Sequence, residues 1–246
     1  MAKRIFDVKR RLRGAAERLL LRGLMLGQRK ELDYHPLSSS EMGNFGRSEG
    51  SYSRLKAING ILGTENVRPR VAMDVGSHIG FFSLHLAKQG LLVYAVESNW
   101  DRLSLSFLLA RQQQLSLAPI PLQVDRDTVE FLPPAEVTLC LSIWHHWVRR
   151  FGLKDATYIL ERVVEKTSRL VFFDSGEEEM PASYNLPFAA STSADFFSGY
   201  LEQLPGVAVR LDLGRHQAIS PPDEAGQRQD VFRTLYCLKK VPRAVR

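Results

Sequence analysis

An apolar run that ends in an acid and meets a pair of glycines is the most chemically informative stretch of the chain. Residues 71–80 read Val-Ala-Met-Asp-Val-Gly-Ser-His-Ile-Gly, so Asp74 is followed by Gly76 and Gly80. Glycines at a turn let a ligand approach the backbone closely, and the N–H groups at the start of a following helix attract acceptor groups. The pattern therefore predicts a strand, a tight turn and a helix that bind a nucleotide-type cofactor.

A carboxylate at the end of the next apolar run predicts where a ribose would bind. Residues 93–97 read Val-Tyr-Ala-Val-Glu, and Ser98 and Asn99 follow Glu97. A carboxylate can accept hydrogen bonds from both hydroxyls of a ribose at once, and it would repel a 2′-phosphate. We therefore expect Glu97, together with Ser98, to bind the ribose of the cofactor.

The spacing of these residues distinguishes between cofactors. The dinucleotide fingerprint is Gly-x-Gly-x-x-Gly, whereas this chain has Asp74-x-Gly76-x-x-x-Gly80 and lacks the middle glycine. This pattern, with Glu97 after the second strand, resembles motif I and the following acid of the class I S-adenosylmethionine (SAM) methyltransferases. The resemblance extends over roughly residues 67–240. The alternative is an ordinary strand–helix–strand unit whose glycines only make turns.

The resemblance implies SAM as the cofactor and assigns it a set of contacts. The glycine turn would face SAM, Glu97 would bind its ribose hydroxyls, and Asp125 would lie near its adenine ring. The residues expected to contact SAM are Asp74, Gly76, Ser77, Gly80, Phe81, Glu97, Ser98, Asp125 and Ser142. Arg47, Tyr52 and Arg54, which precede the first strand, are candidates for contact with the SAM carboxylate or the substrate.

The elements that must position these residues alternate between strands and helices. Strands are predicted at 71–75, 91–96, 120–124, 136–142, 169–174, 207–213 and 232–238, with helices at 101–114, 154–167 and 194–204 among them. Such alternation gives an α/β fold with a parallel sheet, and ligands then bind at the carboxyl ends of its strands. The resemblance implies a seven-stranded, mostly parallel sheet of order 3-2-1-4-5-7-6, with the last strand antiparallel and helices on both faces.

Two adjacent histidines follow the fourth strand, and the resemblance implies that the acceptor binds at this position. Residues 141–147 read Leu-Ser-Ile-Trp-His-His-Trp, and we treat them as a loop. A histidine there could take a proton from a hydroxyl or an amine, because its pKa lies near neutral pH. Neighbouring side chains diverge, so we expect one histidine to face the pocket and the other to be structural. His145 is slightly preferred over His146, and a structural histidine at a helix start is the alternative.

The loop after the predicted fifth strand carries three consecutive acids. Glu177, Glu178 and Glu179 could recognise a cationic or hydroxylated acceptor, but we favour a solvated loop. The chain has no spacing of cysteines and histidines typical of a metal site, so no metal is predicted. It also lacks the Asn-Pro-Pro-Tyr motif of methyltransferases that act on planar nitrogens.

Length and composition predict one α/β domain with an N-terminal extension. The chain has 246 residues, of which 44% are hydrophobic. We divide it into a basic helical extension (1–30), a loop and helix (31–66) and a SAM-dependent methyltransferase domain (67–246). Cys140 and Cys237 lie in apolar runs and are expected to be buried strand residues, which fits a reducing compartment such as the cytoplasm. No apolar run is as long as a membrane-spanning helix.

The positive charge of the chain is concentrated in the extension. Residues 1–30 hold ten basic and two acidic side chains, a net charge of about +8, although the whole chain carries only +6. Apolar residues recur at helical spacing over 4–27: Ile5, Val8, Leu12, Ala15, Leu19 and Leu26. This basic amphipathic helix could pack on the domain or a second copy, lie on an anionic membrane surface, or touch RNA. The sequence does not decide among the three.

The sequence therefore predicts a SAM-dependent methyltransferase that transfers the methyl group directly, by an SN2 displacement, to an oxygen or a nitrogen. A small-molecule or glycan-type acceptor is favoured. One alternative is an RNA methyltransferase that uses the basic extension to bind phosphates. The other is a SAM-binding scaffold protein without catalytic activity.

Overall fold

The computed structural model describes residues 17, 19–28, 48–65, 68–188, 192–219 and 229–241. Six helices in the described chain are labelled α1 (Ser48–Thr64), α2 (Phe81–Lys88), α3 (Trp100–Gln112), α4 (Trp144–Phe151), α5 (Leu153–Glu165) and α6 (Ser193–Glu202). The strands are β1 (Val71–Val75), β2 (Leu92–Glu97), β3 (Leu117–Pro121), β4 (Ala135–Leu141), β5 (Thr167–Asp174), β6 (Val207–Ile219) and β7 (Asp230–Lys240). Short 3-10 turns lie at Val129–Phe131 and Ala182–Tyr184.

The seven strands form one sheet in the order β3-β2-β1-β4-β5-β7-β6, which confirms the predicted topology. The pairs among β1 to β5 are parallel, whereas β7 runs antiparallel to both β5 and β6. In this register Asp74 lies opposite Ala95 and Leu139, and Leu141 lies opposite Asp174. The carboxyl ends of β1, β2, β4 and β5 consequently share one edge of the sheet.

Helices cover both faces of the sheet, and each face has its own apolar core. Met73 and Val75 of β1 belong to the cluster that packs against α4, α5 and α6, whereas Ala72 belongs to the cluster with α1 and α2. This division follows from the alternation of side chains along a strand. A parallel strand that is buried on both faces must be apolar along most of its length, which accounts for the continuous apolar runs in the sequence. The two buried cysteines, Cys140 and Cys237, are free thiols on β4 and β7, as predicted.

Two predicted elements were wrong. β3 begins at Leu117 and includes Pro119 and Pro121, whereas the prediction began at Ile120. Prolines are tolerated here because β3 is an edge strand, which needs backbone N–H donors on one side only. Residues 144–151, treated as a loop, form helix α4, so the two histidines lie in a first helical turn rather than in an irregular segment.

The described part of the N-terminal extension packs on the domain. Residues 19–27 are helical, and Leu21 is buried in an apolar cluster with Ile79 and Leu84. Glu17 forms an ion pair with Arg111 of α3 at 2.9 Å. The rest of the predicted extension and Arg47 lie outside the described residues. Within the part of the chain that the structure describes, no helix combines the length and the apolar character needed to span a membrane.

Candidate active site

The glycine turn after β1 has the conformation that its sequence predicts. Gly76 and Gly80 have φ angles of 76° and 85°, in the left-handed region that favours glycine. The N–H groups of Gly76 and Ser77 both donate to the carbonyl of Val96 at 2.9 Å, which ties the turn to β2. A Cβ on Gly80 would lie 2.4 Å from the Cβ of Ser106. Gly80 is therefore required both by the backbone and by the close packing of α2 on α3.

A small cavity opens beside this turn and contains a buried hydroxyl. Ser77 is 5% exposed, and among the described residues its Oγ has no hydrogen-bond partner. The empty space in this cavity, including the part open to solvent, is about 290 Å³. It is lined by Arg54, Asp74, Gly76, Ser77, His78, Phe82, Leu141 and Ser142. Because a buried polar atom is usually paired, the Ser77 hydroxyl is available to a polar group that enters this cavity.

The Glu97 carboxylate is held at the end of β2 by two backbone donors. His78 donates from its N–H to Oε2 at 3.0 Å, and Asn99 donates to Oε1 at 2.7 Å. Glu97 is buried, and the exposed Ser98 lies 3.4 Å from Oε1 through its hydroxyl. A carboxylate oxygen can accept two hydrogen bonds. Oε2 of Glu97 therefore retains acceptor capacity for a ribose hydroxyl, whereas Oε1 is free for a second hydroxyl only when the exposed Ser98 turns its hydroxyl away.

Asp74 lies in the cavity floor beneath the turn. It is 3% exposed, and its Oδ2 accepts a hydrogen bond from the hydroxyl of Ser83 at 2.6 Å. Burial, only partly offset by the hydrogen bonds from Ser83, raises the pKa of Asp74 from 3.8 to about 6. The proximity of Glu97 adds to the rise. A positively charged ligand in the cavity would reverse this effect by favouring the carboxylate.

Two of the predicted SAM contacts have structural roles in the described chain. The ring of Phe81 is buried and packs edge-on against Tyr52 and Phe82. The Oδ1 of Asp125 accepts hydrogen bonds from the N–H groups of Asp127 at 3.0 Å and Thr128 at 2.9 Å. Burial opposes these hydrogen bonds, but their net effect is to lower the pKa of Asp125. Contact of either residue with SAM stays a prediction.

Ser142 follows β4 and joins a buried polar network at the same edge. It has a φ angle of 54°, which is uncommon for a residue other than glycine. Its N–H and its Oγ both donate to Oδ1 of Asp174, at 2.6 and 2.8 Å. Arg54 forms an ion pair with the other oxygen of Asp174 at 2.8 Å and lies 3.4 Å from the Ser142 hydroxyl. Arg233 lies 3.3 Å from the same hydroxyl.

Sequence reasoning missed Asp174 and Arg233 in this network. Asp174 ends an apolar strand run, which is the signal that identified Asp74 and Glu97. The same rule applied to the fifth strand would have found it. Arg233 belongs to β7, and its position depends on the register of β7 against β6, which places Arg233 opposite His216. No local pattern marks Arg233 as a site residue.

The two adjacent histidines occupy different environments. His145 is 2% exposed, and its Nδ1 accepts a hydrogen bond from the N–H of Gly176 at 2.8 Å. Burial, with contributions from His146 and Arg233, lowers the pKa of His145 well below 6.5. The neutral ring therefore carries its proton on Nε2 and acts as a structural anchor for the loop after β5.

His146 lies beside His145 with its side chain exposed. The ring centroids are 4.3 Å apart, and Tyr184 is 5.8 Å from the His146 ring. Desolvation by the surrounding side chains, and then the charges of Arg233 and Arg149, lower the pKa of His146. An accessible imidazole with a lowered pKa is unprotonated at neutral pH and able to accept a proton. Exposure and the lowered pKa thus make His146 the better candidate for accepting a proton, and the acceptor role of either histidine stays a prediction.

The acidic side chains of the loop after β5 mostly form hydrogen bonds or ion pairs within the protein instead of facing solvent. Glu177 is 5% exposed and accepts a hydrogen bond from the N–H of Thr234 at 2.5 Å. Glu179 forms an ion pair with Arg233 at 2.7 Å. The expectation of a solvated loop is wrong for these two residues, because they attach the loop to β7.

A larger cavity lies elsewhere on the sheet. It has about 820 Å³ of empty space, open to solvent, and is lined by residues that include Val71, Ala135, Glu136 and Thr167. These residues lie at the amino ends of β1, β4 and β5. They are at the opposite edge of the sheet from the glycine turn and Glu97. Cavity size therefore does not identify the candidate site, whereas the chemistry of the lining residues does.

Comparison with known sequences gives a partial match. No protein-family model matches the chain. A segment of 114 residues is 25% identical to the O-antigen chain terminator bifunctional methyltransferase/kinase WbdD of Escherichia coli. The match covers 46% of this chain and 16% of the length of that relative.

Comparison with solved structures extends over most of the chain. A structure of the bifunctional kinase–methyltransferase WbdD has a TM-score of 0.56 at 19% identity, covering 78% of this chain and 39% of that one. Magnesium protoporphyrin IX methyltransferase (ChlM) from Synechocystis PCC 6803 with bound S-adenosylhomocysteine has a TM-score of 0.57 at 12% identity, covering 82% and 90%. Another ChlM structure contains SAM. The chain therefore has the fold of the class I SAM-dependent methyltransferases, as its sequence predicts.

Proposed function

We propose that the chain is a SAM-dependent methyltransferase. The observation that carries the proposal is the contact between Glu97 and the glycine turn. This contact places the Glu97 carboxylate, which could accept hydrogen bonds from a ribose, next to the turn that contains Ser77. The hydroxyl of Ser77 has no hydrogen-bond partner among the described residues, and both groups lie at the carboxyl ends of β1 and β2. This edge is where α/β sheets bind their ligands. The likeness to structures solved with SAM or S-adenosylhomocysteine supports the same cofactor here.

The cofactor would be held mainly by the turn and the end of β2. Glu97 would accept hydrogen bonds from the ribose hydroxyls, and Ser77 would bind a polar group in the cavity. Asp74 and Arg54 line the same cavity with opposite charges, which suits the ammonium and carboxylate groups of an amino acid. When bound, SAM supplies a methyl group that a sulfonium makes electrophilic.

The acceptor side of the proposed site lies at the ends of β4 and β5. His146 is the best candidate to take a proton from an attacking hydroxyl or amine, because it is accessible and its pKa is lowered. His145 fixes the loop after β5 through Gly176. In-line positioning of the acceptor accounts for much of the rate in such a reaction, so few charged catalytic groups are needed.

The proposed acceptor is a small molecule or a glycan, and the transfer is to oxygen or nitrogen. The names of the relatives support this range, since WbdD terminates O-antigen chains and ChlM methylates magnesium protoporphyrin IX. A structure from echinomycin biosynthesis, in which a disulfide becomes a thioacetal, also shares the fold with a TM-score of 0.53. One fold therefore serves unrelated acceptors, and the side chains around Ser142 and His146 must determine the choice.

Calorimetric titration with SAM and, separately, with NAD tests the cofactor assignment. We expect micromolar binding of SAM and no heat with NAD, because the turn lacks the middle glycine of the dinucleotide fingerprint. Binding of NAD in preference to SAM, or of neither, would overturn the proposal.

A transfer assay with methyl-labelled SAM then tests the activity. Label should enter a glycan or small-molecule fraction of a cell extract. Label only in RNA would assign the activity to RNA instead. Tight SAM binding with no label in any fraction would overturn the enzymatic assignment and leave a SAM-binding scaffold.

A further inference from the structure

The helical segment 19–27 is apolar on two opposite faces. Leu21 is 8% exposed and packs into the domain core, with Leu24 and Met25 partly buried beside it. Leu19 and Leu26, by contrast, are 70% and 75% exposed. Since they are seven residues apart, they lie on one face, and Leu21 is rotated about 200° from Leu19. The helix therefore uses one face to bind the domain and presents a second apolar face to solvent.

The outward face is not covered by the part of the chain that the structure describes. Leu20 is also 56% exposed. A Cβ placed on Gly23 or Gly27 would meet no atom of the described residues within 4 Å. Exposed leucines are unremarkable when isolated, but three within about two helical turns form a patch that favours an apolar partner.

Charge determines which apolar partner fits this face. Residues 1–30 carry a net charge of about +8, and the rest of the chain sums to about −2. Arg22 is exposed between the outward leucines. A second copy of the chain would bring two such positive segments together and be repelled. RNA would match the charge, but its binding is dominated by phosphate contacts with basic side chains, which do not account for three exposed leucines.

We propose that this outward face binds the surface of an anionic phospholipid bilayer. The three leucines insert among the acyl chains near the headgroups, and the exposed Arg22 and the net positive charge of residues 1–30 favour anionic headgroups. Both properties are required for stable binding of a helix that lies in the interface. Because Leu21 anchors the same helix to the domain, the bilayer holds the folded domain at its surface.

Co-sedimentation of the full chain with phospholipid vesicles tests this proposal. We expect binding to vesicles made of equal parts phosphatidylcholine and phosphatidylglycerol, and little binding to phosphatidylcholine alone. The double substitution Leu19→Ser with Leu26→Ser should lower the partition coefficient at least about tenfold. Replacing Lys9, Arg10 and Arg11 by Gln should lower it about fivefold for each charge that lies near the surface.

A matched control tests whether vesicle binding depends on the proposed face or on any exposed apolar side chain. Phe131 is 73% exposed on the 3-10 turn before β4, so Phe131→Ser should leave vesicle binding unchanged. Circular dichroism should show that all variants remain folded; the side chains of Leu19, Leu26 and Phe131 are exposed. Neither measurement depends on SAM binding, so failure here is distinct from failure of the proposed function.

Four results would overturn the proposal. The first is equal binding to neutral and anionic vesicles, and the second is unchanged binding of the leucine variant. The third is the absence of vesicle binding together with a leucine-independent affinity for a single-stranded RNA, which would assign the extension to nucleic acid. A leucine-dependent dimer in sedimentation velocity, without vesicle binding, would also reject the membrane surface in favour of a second copy.

Discussion

The carboxylate of Glu97 accepts a hydrogen bond from the N–H of His78 at 3.0 Å, and this contact joins the end of β2 to the glycine turn after β1. His78 has a φ angle of 55°, so the turn contains a left-handed residue that is not glycine. Such a conformation costs about 1–3 kcal/mol and persists only where the surroundings hold it. Glu97 therefore stabilises the turn and, at the same time, presents acceptors to a ribose.

Glu97→Gln should weaken SAM binding by about tenfold or more, because it replaces a charged acceptor with an amide that has one acceptor oxygen. Calorimetry measures the affinity. Hydrogen exchange at the His78 and Asn99 amides should accelerate in the same variant, since both donate to Glu97. The control is Asp101→Asn, an exposed acid in the first turn of α3, which should change neither quantity. Equal affinities for SAM in the two variants would reject Glu97 as the ribose acceptor.

Asp174→Asn should destabilise the protein by about 3 kcal/mol. It leaves the buried guanidinium of Arg54 without its partner charge, whereas the Asn oxygen can still accept hydrogen bonds from Ser142. The control is Asp155→Asn, which breaks an ion pair with Arg126 between half-exposed side chains and should cost at most about 1 kcal/mol. Urea unfolding measures both. Similar losses in the two variants would mean that the buried pair is no more important than a surface pair.

Asp74 should make stability fall as the pH rises from about 4 to about 6. Its folded pKa of about 6 exceeds the ordinary value of 3.8, so the native state keeps a proton that the unfolded chain releases. The contribution of Asp74 to the unfolding free energy is complete below pH 3.8. It falls by up to about 1.4 kcal/mol per pH unit and is lost above pH 6. Asp74→Asn lacks this dependence. The difference between the two unfolding free energies isolates it, because the histidine contributions cancel. A difference that is constant with pH would contradict the raised pKa.

The parallel α/β sheet followed from the clear alternation of strand and helix runs, whereas its strand order followed from the resemblance to the class I methyltransferases. The 71–75 strand coincides with β1, and the acids that end β1 and β2 lie at the expected edge. Local patterns were sufficient there, since each apolar run stops at or next to an acidic residue. At β3 the prolines hid the start of the strand, although the order implied by the resemblance places β3 at an edge, where prolines are tolerated.

The acceptor side was less predictable because it is built from distant segments. Arg54 of α1, Asp174 of β5 and Arg233 of β7 meet at Ser142 only through the tertiary fold. The relative roles of His145 and His146 depend on the helical geometry of α4, which was mistaken for a loop. In a helix, adjacent side chains point about 100° apart, so one histidine is buried when the next is exposed.

His145 and His146 should respond differently to substitution. His145→Ala leaves the N–H of Gly176 without an acceptor in a buried site, so it should cost about 2–4 kcal/mol. His145→Asn should recover much of this loss, because its amide oxygen can replace Nδ1.

His146→Ala should leave the unfolding free energy within about 0.5 kcal/mol of the wild type but lower turnover about a hundredfold, because the proton acceptor is lost. Urea unfolding and single-turnover rates measure these effects. Full activity of His146→Ala would remove His146 from the chemistry.

The pH dependence of stability offers a further check on His145. Its folded pKa lies well below 6.5, so below about pH 6.5 the unfolded chain binds a proton that the native ring does not. The unfolding free energy should therefore decrease as the pH falls from 6.5, by up to about 1.4 kcal/mol per unit. In His145→Asn this part of the slope should disappear. A slope that is equal in both proteins would show that His145 is protonated in the native state.

Gly80→Ala should be much more disruptive than alanine at two other glycines. At Gly80 the added Cβ would meet Ser106 at 2.4 Å in a left-handed backbone, so we expect a loss of about 2–4 kcal/mol in unfolding free energy and weaker SAM binding. Gly90 has a similar φ of 92° but open space around it, so its alanine variant measures backbone strain alone, about 1–2 kcal/mol. Gly60 lies within α1 in open space, and alanine there should stabilise the helix by about 0.5–1 kcal/mol.

Ser106→Gly in the Gly80→Ala background should recover the difference in unfolding free energy between the Gly80→Ala and Gly90→Ala variants, because it removes the clashing Cβ and leaves the strained backbone. Equal losses at positions 80 and 90 would show that the contact between α2 and α3 does not restrict the turn.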